Sequence, residues 1–595
     1  MAKRKRKKSP DRADGAATPA RAMRPPASRP TADTGSGWGW RGWAWRLGLA
    51  ALSGCGVFLA FPTWDLFFLA WFSLVPLLLA VEGSSPRQHL LLGLWAGSIT
   101  NLGGFWWIGG MLMDFGHMGW WPAAGLTLLM AVYQGLVFAL WLWLLARLRD
   151  SGLRRWLLAP LTYVAAEFAV WYIFPWYYAN SQYNCAPLIQ ICELGGVGLL
   201  SFGLVMANAA LADAWRAWRA GRRRPAVALL GLALGLPLVV AGYGLLRIHQ
   251  VDAAAAAAQK LRIGLVEADV GIWEKEERSK LVDNLVLHQR MSMELERRGA
   301  ELIIWPETAY RAPFTYVRRP GAERARRYRP IPRDAVAIPP AHSRPPAHAA
   351  EDRRRGTPAR ERTAPQRGFS TPLLFGALTQ RENPDSPSQR HPGSDLLNSA
   401  ILLDAEGRVL GMYDKVYLLV FGEYIPFGDW FPDFYRWLPE AGDLTPGEGV
   451  EVLRLGEYRL GVMVCYEDIL PAFIRRVAEH DPHVLINITN DAWFGETSEP
   501  YLHLALAVFR TVEARVPLVR STNTGVSAFV DPVGRITAQT GLQEAEILIQ
   551  DVPMMDGGTP YQVLGDWPAY LCFAALPLLW WRSRRRRNRA SGSER

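Results

Sequence analysis

The N-terminal part of the chain alternates long apolar runs with short polar loops. The seven runs lie at 43–62, 66–82, 90–111, 121–146, 156–175, 188–214 and 225–247, and a shorter eighth run lies at 567–581. Each long run is close to the roughly 20 residues that an α-helix needs to cross the core of a bilayer. The pattern predicts a membrane α-helical bundle of about eight spans, seven within 39–247 and the last within 566–595.

The loops between these runs differ in charge, and the difference predicts an orientation. Arginines occupy every second loop and the tail after the eighth run, whereas the loops near 112–120 and 176–187 carry no Lys or Arg. Loops rich in Lys and Arg stay on the cytoplasmic side of a membrane. Residues 1–38, a basic arm that we expect to be disordered, would lie there with the tail. The stretch 248–565 would then lie outside, which in a bacterium is the periplasm.

Within 248–565 the pattern changes to short β-rich runs that alternate with helical stretches. The strand candidates are 261–266, 302–305, 373–378, 399–403, 460–464, 484–488 and 526–530. A long amphipathic helix is predicted over roughly 275–298. This alternation is typical of a layered α/β domain. Residues 318–369 are rich in Arg, Pro and Ala without apolar periodicity, and we predict a disordered insertion that adds nothing to the core.

Composition supports a membrane protein. Of the 595 residues half are hydrophobic, and 26 are Trp, a residue enriched where helices meet the membrane surface. The net charge is +11, but the cations flank apolar runs, so a nucleic-acid partner is not expected. The five cysteines have no metal-ligand spacing, and no Gly-rich phosphate loop is present. We therefore expect neither a metal nor a nucleotide cofactor.

Candidate chemistry stands at the ends of three predicted strands. Cys465 follows the strand 460–464 and precedes a helix that Pro471 opens. Glu307 follows Pro306 directly after the strand 302–305, and Lys415 lies in a Tyr-Asp-Lys segment after the strand 399–403. A carboxylate that takes a thiol proton, a lysine that stabilises negative charge and a thiolate that attacks a carbonyl form a coherent catalytic set.

Each of these residues also has a structural interpretation. A lone Cys at a strand end is more often a small core residue, Glu307 could cap a helix, and Lys415 could be a solvated charge. In the membrane region, Glu167 faces either a polar cavity or a structural hydrogen-bond partner. The aromatic loop 174–182 could line a lipid entrance or form an interfacial belt.

Glu307, Lys415 and Cys465 resemble the Glu-Lys-Cys triad of the nitrilase superfamily. Several other segments of the chain resemble the apolipoprotein N-acyltransferase family of Gram-negative bacteria. The matching segments are Phe421-Gly-Glu-Tyr-Ile-Pro426, Asn490-Asp-Ala-Trp-Phe-Gly495, Arg520-Ser-Thr-Asn-Thr-Gly-Val526, Phe174-Pro-Trp176 with Ser181-Gln182, and Thr559-Pro-Tyr561 with Trp567-Pro568. The resemblance covers about 40–317 and 370–582, and it implies an αββα sandwich for the outer domain.

The resemblance implies a role for each site residue. Glu307 would be the general base, Cys465 the nucleophile and Lys415 the oxyanion stabiliser. The residues that would support the site or the substrate are Glu423, Tyr466, Glu467, Trp273 and Asn398. The sequence departs from the family pattern at Val420, where Pro is usual, at Thr524, where a second Asn is usual, and in the insertion.

The implied reaction moves an acyl chain from a phospholipid to the Cys465 thiol and then to the N-terminal amine of a diacylated apolipoprotein. Such an enzyme would be a multi-pass protein of the bacterial inner membrane, and we expect it to act as a monomer. Two alternatives stay open. A membrane-tethered amidase would use the same three residues with water as acceptor, and a catalytically silent scaffold would need only the fold.

Overall fold

The computed structural model describes residues 40–271, 280–316, 363–386, 391–425 and 442–592, with a few isolated residues between these ranges. Backbone contacts separate Met1–Ala44 from a second unit, Trp45–Arg595. In the first unit only 40–44, the start of a helix, are described. The predicted disordered arm, Trp273 and most of the predicted insertion lie outside the described residues.

Helices and the loops that connect them make up the described N-terminal region, residues 40–257. Its helices are α1 (Trp40–Phe58), α2 (Val75–Ala80), α3 (Pro86–Gly104), α4 (Ile108–Asp114), α5 (Trp120–Leu148), α6 (Arg155–Ala169), α7 (Ala186–Ile189), α8 (Cys192–Arg219) and α9 (Arg223–Ala257). The run predicted over 66–82 is not one helix: a 3₁₀ turn, Phe67–Trp71, precedes α2. Helix α9 continues past 247 to Ala257.

Three described helical segments are long and apolar enough to cross a membrane by length and composition. They are Trp120–Ser151, Cys192–Arg219 and Arg223–Ala257. They coincide with the predicted runs 121–146, 188–214 and 225–247. Helices α3 and α5 pack closely because glycines face each other, and a Cβ on Gly97 would lie 2.6 Å from the carbonyl oxygen of Gly135.

The C-terminal part folds as two sheets with helices. The strands are β1 (Lys260–Glu267), β2 (Leu302–Ile304), β3 (Tyr310–Tyr316), β4 (Leu373–Glu382), β5 (Ser394–Leu403), β6 (Val409–Asp414), β7 (Val452–Leu455), β8 (Tyr458–Val464), β9 (Val484–Thr489), β10 (Leu518–Thr522), β11 (Ala528–Val530), β12 (Ile536–Gln539) and β13 (Glu546–Pro553). The helices are α10 (Leu281–Arg297), α11 (Pro471–Ala478), α12 (Glu499–Ala514), α13 (Pro560–Leu564) and α14 (Trp567–Gly592).

The two sheets form the middle layers of a helix–sheet–sheet–helix arrangement. The first sheet has the order β13-β1-β2-β4-β5-β6, with β3 also paired to β4, and the second has the order β12-β11-β10-β9-β8-β7. The Ser521 hydroxyl in β10 reaches the carbonyl oxygens of Val266 and Ile304 in the first sheet at 3.4 Å each. Helix α10 packs on the first sheet, and α12 packs on the second.

All seven predicted strands exist, because their Val-, Ile- and Leu-rich runs are buried on both faces. The sequence analysis missed β3, β6, β7, β10, β12 and β13. The omission of β6 matters most, because Lys415 follows β6 rather than the turn after β5. The three candidate residues therefore stand after β2, β6 and β8.

The prediction that 318–369 adds nothing to the core was wrong at its C-terminal end. Phe369 is buried with its ring 6.4 Å from that of Trp305, and Ala364 is fully buried. The side-chain amide of Gln289 donates to the Ala364 carbonyl at 2.8 Å. The amino-acid composition of 318–369 did not reveal this, because only a few residues at the end of the segment make buried contacts.

Candidate active site

Cys465 occupies a sharp corner of the backbone. Strand β8 ends at Val464, and a 3₁₀ turn, Cys465–Ile469, leads toward α11. Cys465 itself has φ of +54°, an uncommon conformation for a residue with a side chain. The Asn487 side-chain amide holds the corner by donating to the Cys465 carbonyl at 2.9 Å. Strained corners of this kind recur at functional sites, because they aim one side chain away from the sheet.

Glu307, Lys415, Glu423 and Asn398 form one buried polar cluster. The Lys415 Nζ lies 2.7 Å from Glu423 Oε2 and 3.7 Å from Glu307 Oε1. The Asn398 amide donates to Glu307 Oε1 at 2.6 Å and to Glu423 Oε1 at 3.1 Å. The Glu307 and Glu423 carboxylates are therefore each positioned by the neutral Asn398 amide and by the charged Lys415 ammonium.

The cluster sets the protonation of the lysine and the thiol. Burial opposes charge on Lys415, but attraction to Glu423, to the thiolate form of Cys465 and to Glu307 raises the pKa of its ammonium above the ordinary value. Burial, followed by the charge of Glu307, raises the pKa of the Cys465 thiol well above its usual value, against the attraction of Lys415. At neutral pH the resting pair is therefore an ammonium and a neutral thiol, and the thiol needs a base before it can attack.

Glu467 ties two of the strand ends together. Its Oε1 accepts from the backbone N–H groups of Val416 and Tyr417 at 2.7 and 2.9 Å, and its Oε2 accepts from Val464 N–H at 2.8 Å. The Tyr413 hydroxyl donates to the same carboxyl at 2.8 Å. Burial raises the pKa of Glu467 to about 7. Glu467 thus fixes the spacing between the lysine loop and the cysteine corner.

Cys465 opens onto a cleft between the helical region and the α/β domain. The lining residues of the cleft are Phe105, Trp107, Phe174, Leu419, Cys465, Tyr466, Ile469, Phe494, Glu499, Leu502, His503 and Leu506. The Tyr466 hydroxyl donates to the Ile173 carbonyl at 3.0 Å, and the Trp107 and Phe494 rings meet edge to face. The walls are mostly apolar, so the cleft suits a lipid chain.

The sequence analysis missed a buried ion-pair network beside this cleft. Arg520 donates to Asp468 at 2.5 Å and to Asp491 at 3.0 Å. The ring nitrogens of His503 lie 2.9 Å from Asp468 and 3.2 Å from Asp491. Two of these residues, Asp491 and Arg520, lie in motifs that the sequence analysis quoted. Their pairing could not be read from the sequence, because they are far apart along the chain.

Asp491, His503 and Glu499 also bring three potential metal-ligand atoms within 4.8 Å of one another. Both His503 nitrogens already have carboxylate partners, and the Arg520 guanidinium sits on Asp491. Burial opposes charge on His503, yet its two aspartate neighbours raise its pKa to about 10. A protonated imidazole cannot ligate a metal, so this donor set does not fit a divalent cation.

The other residues that the sequence analysis singled out are Trp273, Glu167 and the aromatic loop 174–182. Trp273 lies outside the described residues. The Glu167 carboxylate accepts from Tyr178 N–H at 2.7 Å and from the Ser201 hydroxyl at 3.3 Å, which favours its structural interpretation. In the aromatic loop, Phe174 lines the cleft, whereas Ser181 and Gln182 are buried in the helical region.

Together, the layered α/β domain and the thiol at its strand end define an enzyme of the carbon–nitrogen hydrolase type. That family model matches residues 368–559, and a model for the apolipoprotein N-acyltransferase N-terminal domain matches residues 53–210. A solved amidase from Nesterenkonia sp. is 22% identical over 50% of this chain and 92% of its own, with a TM-score of 0.29.

Full-length relatives narrow the class to one family. The apolipoprotein N-acyltransferase of Geobacter metallireducens is 31% identical over 89% of this chain and 94% of its own length. The protein of that name from Azotobacter vinelandii is 32% identical over 91% of this chain and 95% of its own. The chain belongs to the apolipoprotein N-acyltransferase family. It is an acyltransferase enzyme with a nitrilase-like domain, and its apolar helices mark it as a bacterial membrane protein.

Proposed function

We propose that this enzyme transfers an acyl chain from a phospholipid, through a thioester on Cys465, to the α-amine of a diacylglyceryl-cysteine at an apolipoprotein N-terminus. The observation that carries the proposal is the position of Cys465. It lies beside the cluster of Glu307 and Lys415 and also opens onto an apolar cleft against the helical region. A water-soluble amide substrate would have no use for such a cleft.

In the first half-reaction Glu307 takes the Cys465 proton, and the thiolate attacks the ester carbonyl of the phospholipid. Lys415 stabilises the oxyanion because it is buried, charged and held by two carboxylates. The proton on Glu307 then passes to the departing lysophospholipid oxygen. Glu423 and Asn398 orient the lysine and the base, and Glu467 keeps the two strand ends in register.

In the second half-reaction the amine attacks the thioester, and an amide forms as the C–S bond breaks. Glu307 carries a proton from the nitrogen to the departing Cys465 sulfur, so the thiol is restored. Two successive half-reactions on one nucleophile give ping-pong kinetics.

The proposal includes a membrane arrangement. We place eight spans in the bacterial inner membrane, seven over 39–247 and one within 566–595, with 248–565 in the periplasm. The alternation of arginine-rich and arginine-free loops supports this orientation. The chain would act as a monomer, because all the groups named in the two half-reactions come from one copy.

Acyl capture tests the proposal. The purified full chain is incubated in detergent with a phospholipid that carries a tagged acyl chain, and Cys465→Ala is treated in parallel. We expect the tag on the wild-type chain, its release by neutral hydroxylamine and its absence from the variant. Cys572→Ala, which removes a thiol on helix α14, should label like the wild type. A folded wild-type chain that takes up no tag would contradict the phospholipid half-reaction.

A further inference from the structure

The second half-reaction releases more protons than one base can carry. An α-amino group has a pKa near 8, so at neutral pH the acceptor arrives mostly as an ammonium ion. Its nitrogen must lose one proton before it attacks and a second as the amide forms. Glu307 delivers the second proton to the Cys465 sulfur, so the first proton needs another acceptor.

Glu499 is placed to be that acceptor. It opens helix α12, is 5% exposed and lines the cleft that contains Cys465. Its Oε1 lies 3.8 Å from His503 Nδ1, whereas Oε2 is buried and has no hydrogen-bond partner among the described residues. A buried oxygen without a donor is costly, and such groups call for an explanation.

The other ionisable side chains of the cleft are already engaged. The Tyr466 hydroxyl donates to the Ile173 carbonyl, and both nitrogens of His503 are bound to aspartates. Cys465 holds the acyl group at this stage of the reaction. Glu499 is therefore the lining group with a vacant acceptor atom among the cleft residues that the structure describes.

The charged groups around Glu499 balance one another, so an ionised Glu499 would need one additional cation. The groups that face it are Asp468, Asp491, His503 and Arg520. The two aspartates balance Arg520 and the protonated His503, which leaves the Glu499 carboxylate without a counter-charge. Before the acceptor enters, burial, followed by repulsion from Asp491, raises the pKa of Glu499 to about 8, so the resting group is mostly a neutral acid at neutral pH. The positive charge of an entering ammonium favours the ionised form, so Glu499 gives its proton to solvent and becomes a carboxylate as the acceptor binds. An ammonium ion entering an apolar cleft needs such a counter-charge.

We propose that Glu499 binds the α-ammonium of the acceptor beside the Cys465 thioester and takes its first proton. The inference rests on the proposed function, of which it describes the second half-reaction. The N–H bond breaks to give a neutral amine and a carboxylic acid. That acid later returns its proton to solvent.

The test separates the two half-reactions in the full chain. Wild type, Glu499→Gln and Glu496→Gln are first charged with the tagged acyl group and freed of excess lipid. Glu496 is an exposed acid on the same loop and serves as the matched control. A diacylated lipopeptide is then added at pH 6.5 and at pH 9.5, and the loss of tag from the chain is followed.

We expect Glu499→Gln to acquire the thioester normally and to discharge about tenfold or more slowly than the wild type at pH 6.5. At pH 9.5, where the acceptor amine is already neutral, its rate should come within about twofold of the wild-type rate. Discharge by hydroxylamine, which is largely neutral at pH 6.5, should be equal in all three proteins. A merely structural role would slow discharge at both pH values and with both nucleophiles.

Equal lipopeptide discharge in Glu499→Gln and wild type at both pH values would overturn the role of Glu499 and leave acyl transfer intact. Failure of the wild type to form a thioester would overturn acyl transfer itself, and this inference with it. If the Gln variant does not fold, Glu499→Ala removes the same carboxylate and must show the same pH-dependent deficit. Its discharge at the wild-type rate at pH 6.5 would equally overturn the assignment.

Discussion

The Lys415 ammonium lies 2.7 Å from the Glu423 carboxylate, closer than the 3.7 Å that separates it from Glu307. The carboxylate nearer to the lysine is therefore not the one proposed as the base. Glu423 also accepts from Leu419 N–H at 2.8 Å, so it is anchored in its own loop. Glu423 thus anchors Lys415 to the loop that follows β6, whereas Glu307 is the group that we propose exchanges protons with Cys465.

Replacing Glu423 should weaken the oxyanion stabiliser without removing it. We expect Glu423→Gln to slow thioester formation by about a hundredfold, a loss typical for an impaired oxyanion site. Glu423 makes the largest electrostatic contribution that raises the Lys415 pKa, so the variant lowers that pKa. As the pH rises, Lys415 should therefore lose its proton, and the enzyme its activity, at a lower pH than in the wild type. The pH profile of acyl capture measures this. Glu457→Gln, at an exposed turn between β7 and β8, should behave like the wild type.

Removing Glu307 should affect acyl transfer and thiol reactivity in opposite directions. Its negative charge raises the Cys465 pKa, so Glu307→Gln lowers that pKa and increases the thiolate fraction at pH 8. We expect faster alkylation of Cys465 by iodoacetamide. Acyl capture should nevertheless fall by at least about a hundredfold, because no group remains to take the Cys465 proton and pass it to the departing lysophospholipid oxygen. Slower alkylation in a folded variant would contradict this electrostatic relationship.

The ion-pair network predicts a pH-dependent stability. The folded pKa of His503, about 10, exceeds the unfolded value of about 6.5. Its contribution is therefore fully present below about pH 6.5 and is lost as the pH rises through 10. We expect His503→Gln to cost about 3–5 kcal/mol at pH 6, as when a buried ion pair loses one partner, and much less at pH 10.

Thermal unfolding in detergent at pH 6, 8 and 10 measures that difference. His249→Gln, an exposed histidine on α9, controls for histidine removal in general and should shift the unfolding temperature little. A His503→Gln deficit that is independent of pH would show that the imidazole is not charged in the folded state.

Helix α8 contains a break that only glycine satisfies. Gly196 has φ of +64° and ψ of −169°, and a Cβ there would lie 2.5 Å from the Tyr561 ring. We expect Gly196→Ala to lower stability by about 1–3 kcal/mol from backbone strain alone, with the clash in addition. Gly203→Ala, farther along the same helix, would meet only Leu236 at 3.8 Å. An equal unfolding temperature for the two variants would contradict this account.

The sequence located the candidate catalytic residues at strand ends, because they follow strands whose apolar runs are easily recognised. Cys465 at the end of β8 and Glu307 after β2 are examples. It did not predict β6 or the burial of Phe369, because neither carries a distinct local pattern. It also gave no sign that Glu499 lines the cleft, since one acidic residue at a helix start is ordinarily solvated.

By itself, the sequence determined the apolar runs, the charge asymmetry of their loops and the residue types at the strand ends, all of which are local properties of the chain. Tertiary structure alone decided which carboxylate lies nearest to Lys415, that Arg520 and His503 neutralise two buried aspartates, and that Glu499 lines the same cleft as Cys465. The physical reason is distance along the chain. Contacts between residues that lie far apart in the sequence depend on how the sheets and helices pack, and no local periodicity records that packing.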